Sequence, residues 1–121
     1  MKIYETPTLK IYNFNKIKEI IINFGETKIN FFITKQCLHL YGPQILSNIE
    51  EILEENVNII AEVGENLGLF LSLINLKIKY ISISVNLDPI FKKKLVSIAK
   101  KKNIKILQNE KFRFINNQNN V

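Results

Sequence analysis

A single cysteine, Cys37, stands in 121 residues. Its isolation excludes an intramolecular disulfide and any cysteine-based zinc cluster. Arginine is as scarce: of the seventeen basic residues only Arg113 is arginine and the rest are lysine, although arginine carries most base-edge and stacking recognition. The net charge of +6 therefore does not announce a nucleic-acid partner. Lysine, isoleucine and asparagine are over-represented together, as a coding bias towards A and T would make them, and no aromatic platform is interleaved with the lysines of residues 92–102. Long apolar runs are also missing. The longest, around Leu67 to Ile74, falls well short of the roughly 20 residues a membrane span needs. Met1-Lys2-Ile3-Tyr4-Glu5 has no secretory apolar region, so the expectation is a cytoplasmic protein with no membrane partner.

What is present is enough apolar material for one packed core: hydrophobic residues make up 46% of the chain, and the length is too short for two domains. Residues 1–108 are read as a single domain and 109–121, ending in Asn116-Asn117-Gln118-Asn119-Asn120-Val121, as a flexible tail. Thr8 to Asn13 alternates apolar and polar residues, as an edge strand does. Asn15 is placed to cap a helix with Ile17, Ile20, Ile21 and Phe24 on one face and Gly25 at its end. Ile29 to Thr34 is apolar on both faces apart from Asn30, the pattern of a central strand. Gly42-Pro43 opens a second helix with Ile45, Leu46, Ile49, Ile52 and Leu53 as its stripe.

Asn58 to Val63 reads as a buried strand, followed by a glycine turn and a helix over residues 65–76 that is apolar most of the way round. Such a helix is either deeply enclosed or packed on a partner, so self-association through it is expected. Tyr80 to Val85 is the fourth strand. Asp88-Pro89 starts a lysine-rich helix with Phe91, Leu95, Ile98 and Ala99 on its inner face, and Ile104 to Leu107 is the last strand. Strand and helix alternate at short intervals, which predicts a mostly parallel five-stranded sheet in a three-layer α/β sandwich with helices on both faces. The fold type is Rossmann-like, flavodoxin-like or STAS-like; the strand order is left open, except that the half-polar first and last strands belong outside.

In open parallel sheets ligands bind beyond the carboxyl ends of the strands. That rule gathers Thr34, Gln36, Cys37, His39, Glu62, Gly64, Glu65, Asn66, Gly68 and Asn86 as candidate binding residues. Gly64-x-x-x-Gly68 is not Gly-x-Gly-x-x-Gly, and no Lys-Ser or Lys-Thr follows it. Glu62 and Glu65 would also stand beside any bound phosphate, and like charges at about 4 Å cost on the order of 1 to 4 kcal/mol in wet surroundings. Cys37 and His39 suggest a thiolate–imidazole pair if the segment is extended. With Glu62 they have no recognisable zinc spacing, so no metal site is expected. No cofactor and no catalytic set follow from these residues.

Gly42 near a helix start, the Glu62-Val63-Gly64-Glu65-Asn66-Leu67-Gly68-Leu69 turn and the Ile78-Lys79-Tyr80-Ile81 strand resemble small bacterial single-domain α/β proteins that carry no established activity. The segment from Asn66 to Leu107 is also similar to the second half of STAS domains, where a strand, a turn and a small-residue helix start carry a regulatory serine. Here Asn66 stands in that vicinity, and the turn has no serine or threonine. Phosphoregulation of the STAS type is therefore not expected at this turn. Two classes of function thus compete, a non-catalytic interaction module working through its apolar helix and lysine face, and a small-molecule-binding domain or small enzyme around Glu62 to Gly68. The first is favoured because the polar candidates match no mechanism.

Overall fold

Ile29-Asn30-Phe31-Phe32-Ile33 is buried at every position, and a strand buried on both faces has to be central and covered on both sides. In the computed structural model, which describes residues 2–53, 55–76 and 78–115, this run is β2 (Ile29–Ile33). It lies between β1 (Thr8–Ile11) and β3 (Val57–Gly64), and β4 (Tyr80–Ile83) and β5 (Lys105–Gln108) complete a five-stranded sheet. All pairings are parallel, and the strand order is the sequence order. The half-polar first and last strands are therefore the edges.

Because the order never reverses, it is neither the Rossmann nor the flavodoxin order, and the switch-point crevice of those sheets is not formed. Right-handed crossovers that always advance in one direction also place their helices on one face. Ile17 and Ile20 of α2 (Ile17–Phe24), Cys37 and Leu38 of α3 (Lys35–Tyr41), and Leu46 and Ile49 of α4 (Ile45–Ile52) pack in one core. Phe70 and Leu73 of α5 (Leu67–Leu73) and Leu95 and Ala99 of α6 (Pro89–Lys101) belong to the same core, against Leu9, Phe31, Ala61 and Ile81 of the sheet.

On the opposite face Phe32, Ile60 and Leu107 are covered by Ile3 of α1 (Lys2–Glu5) and by Phe112. Both faces are covered, but very unequally. The second layer is one short helix and a 3₁₀ turn, Asn109–Lys111, with the residues after it.

Several elements differ from the expectation. Residues 34–39, which a Cys37–His39 pair would need to be extended, enter α3 instead, because the Thr34 hydroxyl accepts the Cys37 N–H at 3.2 Å and Cys37 and Leu38 supply a buried side. The capping asparagine before α2 is Asn13, not Asn15. Its side chain accepts the Asn15 N–H at 3.0 Å and starts a 3₁₀ turn, Phe14–Lys16, that runs into the helix. The helix expected over 65–76 is the shorter α5, because Asn66 caps it and the chain turns after Leu73.

Residues 109–115, read from sequence as the beginning of a tail, are structured. Phe112 is buried against Phe32 and Tyr4, at ring centroid distances of 5.5 and 4.9 Å. Arg113 O accepts the Thr8 N–H at 3.0 Å, and the Ile115 N–H donates to Thr8 O at 2.9 Å, so this segment runs along the outer edge of β1. Such cover pairs the outward backbone groups of Thr8 at the start of β1. Residues 116–121 lie outside the described residues.

Candidate functional site

The carboxyl ends of the strands meet around Glu62. The register of β3 on β4 slips between Glu62 and Gly64, a bulge that turns the end of the strand. Gly64 has φ +58°, a conformation L side chains rarely adopt, and a Cβ there would lie 3.4 Å from the Lys35 ammonium. Glycine at this position therefore makes the turn and leaves room for Lys35.

Glu62 is half-buried, and both of its carboxylate oxygens are taken. Oε1 accepts the Lys35 backbone N–H at 2.9 Å, and Oε2 accepts Asn109 Nδ2 at 3.2 Å. The first bond satisfies one of the unpaired N–H groups at the start of α3, where a negative charge is also favoured by the helix dipole. The second reaches across β4 to the turn after β5, and there Ser82 Oγ donates to Asn109 Oδ1. Next to it Glu110 Oε1 accepts the Val85 N–H at 2.6 Å, and the Gln108 N–H donates to the Tyr4 hydroxyl at 2.9 Å. The result is a belt of hydrogen bonds tying β2, β3, β4 and β5 together at one end of the sheet.

The other candidates are committed in the same way or kept apart. Thr34 Oγ1 donates to Ile11 O at 3.1 Å in addition to capping α3. Asn66 caps α5 by accepting the Leu69 N–H at 2.9 Å, and its Nδ2 lies 3.3 Å from His39 Nε2. Gly68 follows on the exposed first turn of α5, 3.5 Å from Asn66 Oδ1 at the position of an added Cβ. Gln36 and Glu65 are exposed, and the Asn86 N–H donates to Ser84 Oγ at 3.1 Å.

Cys37 and His39 do not form a pair. Two residues apart on a helix they lie about 200° apart around its axis, so Cys37 is in the core and His39 faces solvent. Burial pushes the Cys37 thiol above its ordinary value of 9.0, against a smaller opposite pull from the Phe14 backbone. Such a thiol is a poor nucleophile at neutral pH. Among the described residues no group of three or more His, Cys, Asp and Glu side chains is placed to hold a metal ion, and no helix is long and apolar enough to cross a membrane.

Sequence reading missed Tyr4, Ser82, Asn109 and Glu110, which hold the belt. Ser82 fell inside the strand read over Tyr80 to Val85, and Asn109 and Glu110 fell in the presumed tail. None of three cavities in the described structure is lined by the sequence-chosen residues. One of about 530 Å³ lies at the amino ends of β3 and β4 beside Asn58, Lys79 and Tyr80. A groove of about 410 Å³ runs beside β5 and α6, and a hollow of about 340 Å³ lies at the end of α2. The sequence matches no family model, and no curated protein or solved structure matches it.

Proposed function

We propose that this chain is a non-catalytic interaction or regulatory module whose working parts are its helical surfaces. One observation carries the proposal: the two oxygens of Glu62, the most plausible acid–base group at the strand ends, are both engaged in holding the sheet together. A general acid or base needs a proton position facing substrate, and a carboxylate used as a clip between strands does not offer one. The Asn66 side chain likewise occupies the start of α5, where a bound anion would need free N–H groups.

The surfaces left for partners are apolar and basic. On α5, Leu69, Phe70 and Leu73 are buried while Leu67 and Leu71 are 36% and 54% exposed, one turn apart on the same flank. This flank is our proposed contact with a second copy or another protein. With Asn66 rather than a hydroxyl residue at the helix start, contact here is not governed by phosphorylation of that turn.

A thermal-shift panel of nucleotides, sugars, divalent metals and acyl cofactors tests the reading. A ligand at about 100 times its dissociation constant adds roughly 2.7 kcal/mol of stability. The module reading predicts no saturable shift. One shift that saturates and disappears in Glu62→Gln would replace it with a ligand site. Sedimentation of the wild type beside Leu71→Glu tests the α5 contact: association at high micromolar concentration should be lost in the variant, and a strict monomer would remove that contact.

A further inference from the structure

The two edges of the sheet are treated differently. On β1 residues 113–115 of the same chain pair with Thr8, whereas β5 pairs with no strand or segment but β4 among the described residues. Lys105 N–H donates to Lys79 O at 2.8 Å, so Lys105 and Leu107 direct their backbone groups at β4, and by alternation Ile104, Ile106 and Gln108 direct theirs outward. Ile104 N–H is taken by Ala99 O at 2.9 Å, and Gln108 N–H by the Tyr4 hydroxyl at 2.9 Å. The N–H and C=O of Ile106 are left on the open edge.

Beside this edge runs the groove of about 410 Å³, lined by Val96, Lys100, Asn103, Ile104, Lys105 and Ile106. Val96 is 42% exposed. Lys92, Lys93, Lys100, Lys101 and Lys105 have no carboxylate partner among the described residues, and the one acidic side chain at α6 is Asp88, occupied in capping the helix. Two copies joined edge to edge would bring the Lys100 and Lys105 of each against the other, like charges at close range. The lysines thus disfavour self-pairing and favour an occupant of opposite charge.

Resting on the module reading, we propose that the β5 edge takes an extended, acidic segment of a partner protein. The segment adds a sixth strand on Ile106, sets an apolar side chain on Val96 and Ile104, and places carboxylates against Lys100 and Lys105. Main-chain bonds supply affinity in this mode, and the pockets beside the edge supply selectivity.

The test is fluorescence anisotropy of the full chain with a short labelled peptide of alternating glutamate and valine. Saturable binding is expected, with a loss of at least about tenfold in the doubly exposed variant Lys100→Glu/Lys105→Glu and a similar loss when alternate peptide nitrogens are methylated and cannot pair. Ile106→Pro, which removes the outward N–H, should weaken binding as well, and circular dichroism of each variant controls for folding. Equal binding of the methylated peptide, or tighter binding of an oligouridylate or of phosphatidylserine vesicles, would overturn the assignment in favour of charge attraction alone. Either failure would leave the module reading standing, because that reading is decided by the small-molecule panel.

Discussion

Glu62 and Asn109 are joined by a 3.2 Å hydrogen bond that spans the sheet from the end of β3 to the turn beyond β5. With the Lys35 N–H on the other oxygen, the carboxylate joins segments that are far apart in sequence. Hydrogen bonds to a charged group contribute about 1.5 to 3 kcal/mol where they are shielded from water. Glu62 is only half-buried, so Glu62→Gln should cost about 1 to 2 kcal/mol, and Asn109→Ala a similar amount. Urea denaturation of both variants and of the double variant checks this. The double loss should fall short of the sum of the single losses, since the two residues share one bond.

Residues 109–115 should behave as part of the fold. Phe112 packs edge-on against Phe32 and Tyr4, and truncating a buried phenylalanine costs about 3 kcal/mol or more. Phe112→Ala is expected to lower the free energy of unfolding by that amount, read from urea denaturation. Removing residues 109–121 should do at least as much damage, because it also unpairs the backbone groups of Thr8 on β1. A truncated chain as stable as the whole would show that the segment is dispensable.

At the start of α5, Asn66→Ala should lose about 1 kcal/mol, the usual value of a helix cap, while Asn66→Ser or Asn66→Asp keeps most of it. Thermal unfolding of the three variants gives the order. A loss in all three alike would mean that the contact with His39, and not the cap, holds the turn.

The buried thiol predicts both a reactivity and a pH dependence. Cys37 should be inert to a thiol reagent such as dithionitrobenzoate in the folded protein and reactive once urea unfolds it. Its folded-state value lies above the ordinary 9.0 because of desolvation. The folded form therefore holds the proton more tightly than the unfolded chain, and this contribution to stability is complete below the unfolded value and is lost as pH rises towards the folded one. Stability should decline above about pH 9, more steeply in the wild type than in Cys37→Ala.

The sheet was legible because its signals are local. Ile29 to Ile33 is apolar on both faces apart from Asn30, Tyr80 to Ile83 alternates, and Asp88-Pro89 marks a helix start that forms as α6 with Asp88 as its cap. The single-faced packing of the helices was not legible, since it follows from strand order, which no local pattern encodes. α3 was missed because its polar positions hid the buried pair Cys37 and Leu38, and a helix that brief has little room to show a period. The belt around Glu62 was missed for a different reason. Its members come from five separate segments, and Asn109 and Glu110 sit in a polar stretch that only the burial of Phe112 makes part of the domain.

The central claim, that the strand ends are structural and the outer surfaces do the work, is tested most directly by following backbone amide resonances of the labelled full chain. The acidic peptide and then the small-molecule panel are titrated in. The account predicts saturable shifts for the peptide at Val96, Ile104 and Ile106, and none from either titration at Lys35, Glu65, Asn66 and Asn109. Saturable shifts at Lys35 and Asn66 with a small molecule, while Val96 and Ile106 stay unmoved, would contradict it.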